Sequence, residues 1–562
     1  MLLLGGLSAQ EKQAPPAKPE PGARAPEVAQ PRVEPRTGQL SAQARQRSEL
    51  PKIDLPEFVI TGTATIDLPV TMKMPSDVNA SDMPVLLADP LAARRDRGTV
   101  EFAGSGKLAL DTAGRVAQNG KILASVGTHF TPMVWLWLGQ RRSEYFYLGD
   151  AHYASSKGYL PYTNRSEGAF EVKAGTAVHA ASPWFDGAAG TGNVGYGSET
   201  YRFFGSSIPS LARTITRFRL GGELASSEES PLPYDVGLGF SNIVVTDSSA
   251  DVTEVRFDLN AETSIPVWST SLLGRVRFSV ASLTGSSSAS LPYLEMMVGS
   301  RRLSWNRFFA QISANAYLAK GMLGQSVAKI YPNAMIGYHF PARTVLSVSY
   351  KGGVRYNTLS DLLRVHPYLS GVSPVLHSDV PVDVTGAVET NWNEVWRTRL
   401  SVRSQKIRDY PSYTEPGRSG IWQTSYQGTS SLTTLQAEVF ANFDSNSYFA
   451  VSGAWNITKN SATQLAIPYV PELQTTAMVV RTVLPGLSVS PWVSLVGRRS
   501  VDLTGGQKLP SYLIMGLKGD YSGLGAVHLF VDVQNASDTK YEEWRGYRAA
   551  PFLVSVGMSY HW

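Results

Sequence analysis

The feature that most constrains this chain is a long stretch, from about Gly98 to Trp562, made of segments of about ten residues in which apolar side chains alternate with polar or small ones. Successive side chains of a strand point to opposite faces, so each segment reads as a strand with one apolar and one polar face. Leu435, Ala437, Val439, Ala441 and Phe443 share one face, against Gln436, Glu438 and Asn442 on the other. Phe449, Val451, Gly453, Trp455 and Ile457 repeat the pattern. So do Phe308, Ala310, Ile312, Ala314, Ala316 and Leu318, set against Gln311, Ser313, Asn315 and Tyr317. A soluble sandwich alternates too. Its strands, however, average about five or six residues, whereas about ten are needed for an inclined strand to cross the hydrocarbon of a bilayer.

Aromatic residues and turns point the same way. Trp392 and Trp396 flank the tight turn at 393–395, Phe340 precedes Pro341, and Trp305 comes just before Phe308. Rings at strand ends form the girdle of a barrel at the membrane surface. Short connections near Trp305, Pro341, Asn393, Ser445, Pro485 and Ser522 alternate with long polar stretches at 359–379, 408–431 and 501–510. One end then carries tight turns and the other long loops. The spacing predicts an all-β fold, a transmembrane antiparallel β-barrel of about 20 to 22 strands over residues 98–562. The longest apolar run, around Met133 to Leu138, is too short for a membrane helix, which needs about 18 residues.

The first residues differ in texture. Residues 1–9, ending in Ala9 after a leucine-rich run, read as the remnant of a signal peptide. Residues 10–97 read as a Pro-rich periplasmic tether, because Pro, Ala, Arg and Glu dominate its first part and leave little apolar surface to bury. Within it Glu57, Phe58, Val59, Ile60 and Thr61 form a short β-prone island.

The chain end is more specific. Phe552, Val554, Val556, Met558, Tyr560 and Trp562 fall on one face of a last strand that stops on an aromatic residue. Such an ending resembles the signal read by the outer-membrane assembly machinery. Upstream, an alternating strand from Leu529 leads into Asn535, two variable residues, Asp538, two more, and Tyr541. This resembles the penultimate strand and loop of TonB-dependent receptors. The segments at 364–370 (RVHPYLS) and 201–207 (YRFFGSS) are similar to loop segments of the same family, the second more weakly. The resemblance implies a 22-stranded barrel in the outer membrane of a Gram-negative-type bacterium, an N-terminal plug domain, and uptake of a small ligand driven by TonB. Residues 57–61 resemble the run by which the family engages TonB. The expectation here is a barrel lacking its own plug, with the lumen filled by a plug in trans, by inward-folded loops or by a partner.

Other classes find little support. A net charge of +5 over 562 residues forms no basic block for nucleic acid, and the absence of cysteine removes thiolate sites. Gly190, Gly192 and Gly195 match a dinucleotide fingerprint in spacing, but no strand-to-helix unit surrounds them, so they are expected in a loop or turn. Gly104 to Lys107 lack the residues of a phosphate loop and are expected in a strand. The eight histidines show no metal-ligand spacing, and no Gly-x-Ser-x-Gly elbow occurs. No cofactor, metal or catalytic residue is expected. The functional expectation is ligand binding and uptake, with a passive channel or a scaffold subunit as alternatives.

Overall fold

The computed structural model describes residues 117–562, apart from 143, 183, 228–229, 248–249, 268–269, 287, 342 and 445–446. The signal-peptide remnant, the tether with Glu57 to Thr61, and Gly104 to Lys107 lie outside the described residues.

Every strand of the main sheet pairs with its neighbour antiparallel, and the last closes on the first. The sheet holds 24 strands, of which Leu303–Trp305 and Gly353–Arg355 are three-residue arms, and the other 22 form a closed barrel. The seam joins Ala117–Gly127 to Leu553–His561, with Ile122 opposite Tyr560 and Val126 opposite Val556. Trp562 and Gly120 extend it by exchanging two backbone hydrogen bonds of 3.0 Å. Gly120 is required there, because a Cβ would lie 2.2 Å from the Trp562 indole. Closure leaves no unpaired edge, and an edge in lipid costs several kcal/mol for each unsatisfied backbone group.

The faces follow the alternation. Leu400, Val402, Trp455, Ile457, Ile312 and Leu318 are exposed on the outer wall. Polar partners meet inside, as where Arg403 pairs with Asp383 and Gln405 donates to the same carboxylate at 2.8 Å. The expected tight turn at 393–395 is present: Asn393 Oδ1 accepts from the Val395 and Trp396 amides at 2.9 and 2.8 Å.

One expectation is corrected. Gly190, Gly192 and Gly195 do not form a loop or turn; they lie inside strand Ala188–Arg202, paired along both edges with Arg165–Val178 and Ala212–Ala225. Two flanking strands satisfy the glycine backbone along its whole length.

Candidate functional site: the cap at the loop end

At one end of the barrel the connections at 203–211, 351–377, 409–428, 461–472, 497–511 and 535–552 are long, and they fold inward. Residues 351–377 carry the single helix longer than one turn among the described residues, α1 (Leu359–Val365), capped by the Thr358 side chain accepting from the Asp361 amide. Its Leu359, Leu362, Leu363 and Val365 are buried. They pack on inward-facing Ile215, Ile243, Val245, Val252, Leu283 and Leu291 of the wall. Apolar side chains on the lumenal face of a barrel need such a partner.

Two buried polar groups fix this loop to the wall. Arg213, 1% exposed, pairs with Asp247 and donates through Nη1 to the carbonyls of Pro367 at 3.1 Å and Leu369 at 2.5 Å. Glu254 accepts from the Leu359 amide at 2.7 Å, at the start of the helix. The three strands that provide Arg213, Asp247 and Glu254 belong to the first half of the barrel, whereas the loop belongs to the second.

Above the helix the other loops meet in an aromatic core. His366 stacks on Trp544 with ring centroids 3.5 Å apart, and Tyr368 stacks on Tyr547 at 3.6 Å. Trp422 is fully buried and donates to the Tyr469 hydroxyl at 3.1 Å. Phe204 packs edge-on to Tyr547 at 4.9 Å. Burial pushes the Tyr368 and Tyr413 phenols well above their ordinary range, so they stay neutral. Burial, with the Arg213 charge beside it, holds His366 well below its ordinary value. Neither ring nitrogen of His366 has a hydrogen-bond partner in the structure.

The loops also bond backbone to backbone. Ser207 donates to the Ser419 carbonyl at 2.9 Å, and Ser370 to that of Trp422 at 2.7 Å. Gly205 meets Gly546 so closely that a Cβ on Gly205 would lie 2.6 Å from the Gly546 carbonyl oxygen. Residues 203–211 and 409–428 are separated by ten strands one way round the barrel and twelve the other, so the Ser207–Ser419 bond crosses the mouth near its full width. The cap bridges opposite walls.

Several residues singled out by sequence come together here. Tyr201 and Phe203, from 201–207, meet Tyr368, from 364–370, and Tyr368 in turn stacks on Tyr547, beyond the motif of Asn535, Asp538 and Tyr541. Asn535 and Asp538 adopt left-handed backbone with φ of 48° each. Asn535 Nδ2 donates to the carbonyls of Thr539 at 3.0 Å and Ala550 at 3.1 Å, while its Oδ1 accepts from the Thr539 amide at 2.9 Å. Asp538 accepts from the Phe552 amide at 3.0 Å, and Tyr541 stacks on Tyr512 at 4.0 Å. The three residues thus pinch the base of the last loop and hold it at the barrel rim. Phe552, Val556, Met558, Tyr560 and Trp562 are exposed on the outer face, with Val554 half-buried between them.

The wall residues Arg213, Asp247 and Glu254 were not singled out by sequence, and neither was the aromatic set of Trp422, Tyr469 and Trp544. A signal for the wall was present: Ile243, Val244 and Val245 are apolar on both faces, which a strand with a wet lumen has no reason to be.

The fold is that of a large outer-membrane barrel. Among solved structures it is similar to the copper transporter OprC, at 12% identity with a TM-score of 0.62, covering 80% of this chain and 81% of that one. It is similar also to the FrpB iron transporter from Neisseria meningitidis, at 10% identity and TM-score 0.64 over 79% and 82% of the two chains. The ferric-catecholate import receptor Fiu from E. coli K12 matches at 11% identity and TM-score 0.60 over 80% and 82%. At such identities the likeness establishes the architecture. No family model matches the sequence, and no curated protein matches it.

Proposed function

We propose that the chain is an outer-membrane receptor of the TonB-dependent kind, admitting a small ligand through a lumen whose mouth its own loops keep shut. The observation that carries this is the bond from Ser207 to Ser419, with the aromatic core around it, linking opposite walls across the mouth. A barrel of about 22 strands is otherwise wide enough to leak. Barrels of the same architecture are described as a copper transporter, an iron transporter and an import receptor, which favours transport over catalysis. Location in the outer membrane and dependence on its assembly machinery follow from the same reading. Residues 57–61 would couple it to TonB by adding a strand, a contact resting on backbone hydrogen bonds that proline cannot donate.

Planar-bilayer recording of the purified full chain tests this. The wild type should show little steady conductance; a large constant conductance would instead make it a passive channel. In cells, Val59→Pro or Ile60→Pro should abolish crosslinking to TonB at unchanged barrel abundance. Wild-type protein that never crosslinks would remove the coupling.

A further inference from the structure

On the outer wall, a trough of about 620 Å³ crosses six neighbouring strands. Leu346, Val388, Leu400, Leu435, Trp455 and Leu473 are among its large lining residues, and Gly386, Ala437 and Gly453 keep its floor low. A Cβ built at Gly386 would meet nothing within 4 Å. Six strands at about 4.8 Å spacing give the trough a length of about 24 Å. That suits one long hydrocarbon chain better than a folded partner.

Two lysines stand over it. Register places Lys406, Ser431 and Lys459 side by side on three adjacent strands, so the two lysines are two strand spacings, about 10 Å, apart. Below them in the same columns come Ser404, Thr433 and Ile457, then Val402, Leu435 and Trp455 of the trough. Both lysines are exposed, and no ion pair involves either among the described residues.

Their height is informative. Trp396, in the girdle at the turn end, and Lys406 lie on one strand, Trp396–Arg408, ten residues apart. That is about 33 Å along the strand. At the tilt of about 40° usual in such barrels it becomes about 25 Å along the membrane normal, the height of the apolar band. The lysines therefore sit at headgroup level on the long-loop side, directly above an apolar trough.

We propose that this face is a binding site for a phosphorylated acyl lipid of the outer leaflet, one chain lying in the trough and a phosphate held between Lys406 and Lys459. Cations at headgroup level attract anionic lipid, and the trough adds apolar contact that an even wall lacks. The complementarity selects an anionic lipid over a neutral lipid or a second copy of the barrel.

Native mass spectrometry of the full-length protein, purified in neutral detergent and titrated with bis-phosphorylated lipid A or its dephosphorylated form, tests the site. The wild type should retain one phosphorylated lipid after the detergent is stripped and much less of the dephosphorylated one. Lys406→Ala with Lys459→Ala should lower retention about tenfold or more. Gly386→Phe, which fills the trough and leaves the lysines, should lower it too. Heat-modifiable migration should be unchanged in both variants, showing a closed barrel. Equal retention of the two lipid forms, unchanged retention in either variant, or a dimer that Gly386→Phe disrupts would overturn the proposal.

Discussion

The two halves of the barrel do different work at the loop end. Strands of the first half, such as Ala212–Ala225, Tyr234–Asp247 and Ala250–Val267, are long, and the last two are joined by residues 248 and 249 alone. They offer a wall, with Ile215, Ile243, Val245 and Val252 inward and Arg213 and Glu254 ready to accept a loop. Strands of the second half are joined by 351–377, 409–428, 461–472, 497–511 and 535–552, which deliver the helix and most of the aromatic core. One half receives and the other supplies. The loop end is thus a second hydrophobic core, separable in principle from the sheet that carries it.

The sheet itself should fail when its seam is opened, and the cap should not matter to that. Removing Phe552 to Trp562 exposes the edge of Ala117–Gly127, with several kcal/mol for each unpaired group. Deletion of the segment, or of Trp562 alone, should block insertion while export continues. Normal amounts of heat-modifiable protein in the outer membrane would refute this.

The converse variant breaks the cap and spares the sheet. Arg213→Ala removes the buried ion pair to Asp247 and frees the carbonyls of Pro367 and Leu369, a change of about 3 to 5 kcal/mol. Steady conductance in bilayers should rise and the long loops should become open to protease, with the barrel still folded. A variant as tight as wild type would mean that the loops close without this anchor.

A smaller effect separates wall from lumen. Val439→Arg or Val451→Arg places charge against lipid and should lower folded yield by about 2 to 4 kcal/mol, whereas Gln436→Arg and Glu438→Arg should be tolerated. Equal damage from both pairs would invert the faces.

Acid should loosen the cap alone. His366 is held well below its ordinary value, and burial lowers His377 to about 4. An opened loop returns both to about 6.5, so above that pH neither state binds a proton and stability is flat. As pH falls below about 6.5 the open form protonates first. The closed cap then loses about 1.4 kcal/mol per pH unit for each histidine, down to about pH 4 for His377. Loop protection in hydrogen exchange should fall over that window, and His366→Phe should reduce the slope. A flat profile from pH 7 to 5 would show that the loops do not open as a unit.

The barrel was largely legible because its physics is local: alternation names the faces, ring position marks strand ends, and two or three residues decide a turn. The cap was less so, because its partners lie far apart in the chain. Nothing in the neighbourhood of Arg213 says that it will hold Pro367, and Trp422 and Trp544 look like loop residues until the barrel brings them together. The glycines at 190–195 misled for a related reason. A strand tolerates them only because its two partners cover it, and those partners are recognised only in the fold.

The seam also sets an order of events. Ala117–Gly127 waits for Leu553–His561, which is made after every other strand of the sheet, so the ring cannot shut until all of these strands have been exported. Bonds such as that from Ser207 to Ser419 span a mouth that has no fixed width before then. The second core is therefore a late reporter of correct assembly. A chain whose ring is incomplete should keep its loops open to protease and chaperone, marking it for removal before it becomes a hole in the membrane.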